Sequence, residues 1–157
     1  MPYSIDFLDV PPGRTFDEVL EERNAAYDWD AEPEPIDLTD GQVKAWERLS
    51  ERVAREVGPI ESEVYPYSLT LHCYPGVGRI QVDYAGDSAS VEITYRYSGE
   101  AARAIMREVY RIGRMIEEEC GLEGADGEVG QTVRDGDPEV AAARLAGVSG
   151  WARENLT

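Results

Sequence analysis

His72 is the single histidine of the chain and is followed directly by Cys73, residue types that can form a base and a nucleophile. The alternation around them reads as a strand, and adjacent strand residues point to opposite faces, so the two cannot act on each other. Across the following strands His72 falls opposite Gln81 and near Glu92. That row could serve a small molecule or a metal ion, with His72 as general base or half a metal site, but the solvated side of a sheet is the preferred reading. One histidine and two core-facing cysteines, Cys73 and Cys120, fall short of zinc spacing. No metal ligand, catalytic residue or cofactor is therefore assigned, and both thiols read as small buried apolar groups.

A different chemistry occupies residues 28–40, DWDAEPEPIDLTD, with six acids, two prolines and no base. Asp28, Asp30, Glu32 and Glu34 alternate like oxygen ligands for calcium. Counted from Asp28, however, Pro33 and Thr39 stand where an EF-hand loop needs glycine and glutamate. Tyr27 and Trp29 sit among these acids. Aromatic area flanked by carboxylates suits a surface that meets arginine and lysine. Tyr27, Asp28, Trp29, Asp30, Glu32 and Glu34 are thus the candidate partner-binding residues, with a plain solvated loop as the alternative. Arg103, Arg107, Arg111 and Arg114 stripe one helix, where Glu100, Glu108, Glu117 and Glu118 stand close enough to pair with them. Pro75-Gly76-Val77-Gly78 is a turn without the lysine of a phosphate loop, and no GxSxG or HExxH signature occurs.

The elements that must position these residues follow from periodicity. Tyr3, Ile5 and Phe7 alternate into a short strand ended by Pro11-Pro12-Gly13. Thr15 with Glu18, and Thr39 with Gln42, start two helices, running to about Tyr27 and to Gly58-Pro59. A β-meander follows over 68–74, 80–84 and 91–97. Its second turn is placed at Gly86-Asp87, because a tight turn there avoids facing Asp83 with Glu92 and Arg79 with Arg96. A long helix with Ala102, Ile105, Val109, Ile112 and Ile116 inward runs from Ser98 to Cys120-Gly121. A short edge strand is expected within 128–133, and an Ala-rich helix from Pro138 to Gly147, with Trp151 and Leu156 anchoring a last turn. The order predicts a single α+β domain over 1–157. It is a two-layer sandwich with a mostly antiparallel sheet, a central meander, helices on one face and 138–157 as a helical tail.

The 157 residues carry 15 bases and 32 acids, a net charge of −17. Such a balance argues against nucleic acid and anionic membrane as partners. The charge is uneven: residues 1–40 hold 12 acids and 2 bases, and residues 117–139 hold 9 acids and 1 base, around a balanced middle. If folding brings the two acidic blocks to one side they form a surface, and otherwise a coat. No stretch is long and apolar enough for a membrane span, no signal peptide is recognised, and cysteine is sparse, which together predict a cytoplasmic protein.

Tyr3-Ser4-Ile5-Asp6-Phe7, the two helices after it, the meander and the Gly121–Val133 stretch together resemble a group of small acidic bacterial immunity-like proteins associated with polymorphic toxins. Where many of those have a YDPQTG-like turn, this chain has Gly124-Ala125-Asp126-Gly127-Glu128, and the tail from 138 lies outside the resemblance. The resemblance implies inhibition of a toxin and transfers no functional residue. The leading expectation is a non-enzymatic protein that binds a basic protein partner through its acidic loops. The alternative is a small-molecule or metal-binding domain, an enzyme included, using His72, Gln81 and Glu92.

Overall fold

Alternating apolar residues in the middle of the chain require a sheet with one wet and one dry face, and amphipathic helices must close the dry one. The computed structural model describes residues 2–155, with side chains through residue 150. Strand β1 (Pro2–Leu8) precedes helices α1 (Phe16–Ala26) and α2 (Asp40–Glu56). Strands β2 (Ile60–Tyr65), β3 (Ser68–Cys73), β4 (Ile80–Tyr84) and β5 (Ser88–Thr94) then lead to the long helix α3 (Gly99–Cys120). The short strands β6 (Glu123–Asp126) and β7 (Gln131–Thr132) and helix α4 (Pro138–Asn155) complete the described residues. All seven strands join one antiparallel sheet in the order β2-β3-β4-β5-β1-β6-β7.

The dry face is built from Tyr3, Ile5 and Phe7 of β1, Leu71 and Cys73 of β3, Ile80 and Val82 of β4, and Val91 and Ile93 of β5, all buried. Leu49 and Val53 of α2 and the Ile105, Val109, Ile112 and Ile116 stripe of α3 pack into the same core, and Trp46 stacks on Tyr84 at 5.5 Å. Helix α4 adds Ala141 and Leu145, both fully buried, and its Ser149 hydroxyl donates to the Tyr95 carbonyl at 2.8 Å. The molecule is the expected α+β sandwich. Helix α1 is peripheral to it. It has no buried residue, and Leu20 and Arg23 border the wet face beside Asp6 and Ser90.

Local chemistry accounts for the element ends. Thr39 and Gln42 form a complete capping box, each side chain bonded to the other's backbone. The β4–β5 turn is the tight one. Ala85 N–H donates to Ser88 O at 2.9 Å, Gly86 takes φ 94°, and Gln81 faces Glu92 while Asp83 faces Ser90. Like charges are thereby kept apart, as the register argument requires.

Four boundaries differ from the sequence-based expectation. Strand β2 was not anticipated, because an edge strand exposed along nearly its whole length carries no core face. The strand expected within 128–133 shrinks to Gln131–Thr132, and its partner β6 lies earlier, with Glu128 in the connecting turn. Strand β5 ends at Thr94 instead of residue 97, although Tyr97 remains buried. Helix α4 passes Gly147 and continues to Asn155. The side chains of Trp151 and Leu156 fall outside the described residues.

β6 escapes periodicity because its inward residues are Gly124 and Asp126 rather than apolar ones. Gly124 is required by packing: a Cβ there would stand 2.4 Å from the Phe7 ring and 2.8 Å from Val133. Gly124→Ala should therefore destabilise the fold by about 1–3 kcal/mol through overpacking, read as a lowered denaturant midpoint. An unchanged midpoint would show that β6 does not lie against Phe7.

Candidate functional site

The expected wet-face row is present. His72 faces Gln81, Gln81 faces Glu92, and Ser4 follows on β1. Sharing a row does not make these side chains converge. His72 and Glu92 are two strand spacings apart, on the order of 9–10 Å. Gln81 turns aside and donates to Asp83 Oδ2 at 3.0 Å, while Asp83 Oδ1 accepts the Thr70 hydroxyl at 2.6 Å. His72 Nε2 looks to the edge strand, 3.7 Å from a Glu63 carboxylate oxygen, and its Nδ1 has no partner. The small depression of about 170 Å³ beside Gln81 and Glu92 is lined by Pro2, Arg79 and Arg96 and does not reach His72. Among the described residues no group of three His, Cys, Asp or Glu side chains is placed to hold a metal ion. Cys73 and Cys120 are unpaired thiols pushed up to about 11 by burial, which leaves them protonated.

The acidic blocks do not merge. Residues 123–132 form the β6–β7 edge of the sheet, while the 28–40 loop reaches the opposite edge, where Ile36 N–H donates to Pro66 O at 2.9 Å between β2 and β3. Most of the second block is consumed internally. Glu118 and Glu119 hold Arg52 and Arg48 of α2, Glu139 meets Arg103 and Arg107, and Glu128 takes the Tyr95 hydroxyl and Arg144. Asp126, fully buried, accepts from the Tyr3 hydroxyl at 2.7 Å and the Tyr110 hydroxyl at 2.5 Å, tying β1 and α3 to the last hairpin. The arginine stripe is likewise absorbed, by Glu100 and Glu108 along α3 and by Glu56 of α2 and Glu139 of α4 across helices.

The first block is different. Asp28, Asp30, Glu32 and Glu34 are all exposed, and no ion pair involves them among the described residues. The loop is nevertheless ordered by local bonds. Asp28 Oδ1 accepts Asp30 N–H at 3.0 Å, Ala31 N–H returns to Asp28 O, and Leu38 packs against the core beside Gly86. Tyr27 and Trp29 meet edge to face with centroids 4.5 Å apart, and Trp29 is 86% exposed. An indole left this bare has no role in the core.

The β2–β3 hairpin adds what sequence reasoning missed: Val64, Tyr65 and Tyr67 are exposed around Pro66. Between Tyr67 and helix α1 opens a cleft of about 400 Å³, walled by Leu20 and Arg23 and floored by Asp6, Asp83 and Ser90. The candidate site is therefore one edge of the molecule, made of the 27–37 loop, the hairpin tip and this cleft. The only sequence signal for its second half was the aromatic spacing of Tyr65-Pro66-Tyr67.

Burial, followed by the nearby Asp83 and Asp6 carboxylates, holds the Glu92 carboxyl above its ordinary range. A carboxyl raised in the folded state opposes folding once ionised, and the penalty fades as pH falls through its folded pKa. Glu92→Gln should therefore raise the melting temperature at neutral pH, with the gain shrinking just above the ordinary glutamate range. A melting temperature lowered at neutral pH would instead indicate that the Glu92 charge has a partner.

No helix among the described residues is long and apolar enough to cross a membrane. Comparison with protein-family models, curated proteins and solved structures yields no match.

Proposed function

We propose that this chain is a non-enzymatic cytoplasmic binding protein that engages a basic protein partner through the 27–37 loop and the adjoining hairpin tip. The observation that carries this reading is the pairing of a bare indole with unneutralised carboxylates. Trp29 is 86% exposed, and Asp28, Asp30, Glu32 and Glu34 of the same loop are exposed and make no ion pair among the described residues. Most of the other acid-rich block is spent on internal bonds, so the net charge of −17 has its most concentrated free portion here. Carboxylates on an exposed rim accelerate encounter with a positive surface, while a desolvated tryptophan slows release. The cleft beside Tyr67 gives a partner's arginine or lysine a receptacle floored by Asp6 and Asp83.

Inhibition of a basic toxin, as the resemblance to immunity-like proteins implies, is the specific form we favour. An enzyme that handles phosphate backbones presents the positive surface such an edge would cover. Nucleic acid itself is disfavoured as a partner by the same charge. The alternative use of His72, Gln81 and Glu92 as a ligand site has weaker support, because Gln81 is bonded to Asp83 and the depression beside Gln81 and Glu92 does not reach His72.

The test begins with affinity capture from native lysate using wild-type chain and Trp29→Ala in parallel, each captured protein then being purified and its association measured directly. The expected partner is basic, associates several-fold more slowly in high salt, and is slowed similarly when Asp28, Asp30, Glu32 and Glu34 become amides. Trp29→Ala should raise its dissociation rate by about tenfold or more, as for a central interface tryptophan. A partner indifferent to salt, to loop neutralisation and to Trp29→Ala would overturn this reading.

A further inference from the structure

The β2 strand is an open sheet edge. Its backbone bonds only to β3, with Ile60 opposite Cys73 and Tyr65 opposite Ser68. Tyr74 N–H donates to Pro59 O at 2.9 Å, so residues 59 and 74 are a hydrogen-bonded pair. Antiparallel pairs alternate between bonded and non-bonded. Glu61, Glu63 and Tyr65 therefore direct their amide and carbonyl groups at β3, and those of Ile60, Ser62 and Val64 point away from the sheet. No described element takes up these outward groups. Natural edges are usually blunted by a covering loop, a bulge, an internal proline or charged side chains. Of these β2 has only the charges of Glu61 and Glu63, which repel an acidic strand but not a basic one. Here the prolines, Pro59 and Pro66, flank the strand without interrupting it.

The two faces of this edge differ in chemistry. On the wet face stand Glu61, Glu63 and Tyr65, and on the helix side stands Val64, 82% exposed. We infer that β2 accepts an added strand from a basic protein, one that alternates arginine or lysine with apolar residues. This rests on the reading of a basic partner given above and names how that partner binds. The incoming bases would lie beside Glu61 and Glu63 and over the Tyr65 ring, and the apolar residues beside Val64. Charge also discriminates against a second copy of this chain. Two β2 strands run antiparallel about Ser62 would set Glu61 against Glu63, like charges directly opposed. The hairpin tip is joined to the 27–37 loop through Ile36 and Pro66, so one end of an added strand would lie next to the point where that loop meets the sheet.

The probe is a short synthetic peptide alternating arginine with valine, blocked at both ends, tested against the full chain by amide hydrogen exchange and by affinity. Protection should appear on the amides of Ile60, Ser62 and Val64, whose N–H groups face outward, while those of Glu61 and Glu63 change little. Ser62→Pro removes one outward donor and no β3 bond, a substitution that edge strands tolerate. It should weaken peptide affinity by about tenfold while leaving the melting transition in place. The matching peptide with glutamate for arginine should not bind. Protection of the three amides that rises with protein concentration in the absence of peptide would show a second copy as occupant and overturn the inference. So would peptide binding that Ser62→Pro leaves intact. If binding is then lost with Trp29→Ala, the loop reading survives without the added strand. If neither substitution matters, both readings fail.

Discussion

The alternation shared by β1, β3, β4 and β5 is the constraint on which the rest of this molecule depends. It sends Ile5, Leu71, Val82, Val91 and their neighbours to one face, which α2, α3 and α4 then cover. A one-residue slip in any of these strands would carry its apolar set into water, so the register is strongly held. The wet face consequently has polar side chains in fixed rows, and their partners are mainly each other. Thr70, Gln81 and Asp83 form such a closed set. A row of polar residues is an expected by-product of a one-sided sheet and does not by itself make a binding site.

Charge follows from the same architecture. Fifteen bases cannot neutralise 32 acids, and the fold deploys its arginines where helices meet. Arg48 and Arg52 join α2 to the end of α3, and Arg103 and Arg107 join α3 to the start of α4. Each exposed pair contributes only tenths of a kcal/mol up to about 1 kcal/mol, yet together they engage Glu118, Glu119 and Glu139 of the second acidic block. The loop before α2 receives none of these bases. Its order comes from an Asx turn, two prolines and the bond from Ile36 to Pro66, which lets it present carboxylates and a bare indole with little flexibility to lose on binding.

Most of the sandwich was legible in the sequence because its buried strands and helices carry strong periods. The capping box at Thr39 and the Gly86 turn were legible for a related reason, since each depends on a few specific residues. β2 was hidden because Glu61, Ser62, Glu63 and Val64 have no core side to betray them. β6 was hidden because its inward positions are a glycine that admits the Phe7 ring and an aspartate held by two tyrosines. At the candidate site, composition alone identified the 27–34 half. Its other half comes from a hairpin brought alongside by tertiary structure. The two acidic blocks lie toward opposite edges of the sheet, the arrangement in which charge alone reads as a coat. The candidate site therefore rests on the bare indole and the unpaired carboxylates of one loop and not on a joint acidic surface.

Carboxyl-selective footprinting of the free chain and of its complex with the captured basic partner tests the central claim most directly, since it reads every acid at once. The predicted result is loss of reactivity at Asp28, Asp30, Glu32, Glu34, Glu61 and Glu63, with Glu118, Glu119 and Glu139 unchanged. Protection centred on Glu92, or spread evenly over both acidic blocks, would contradict it.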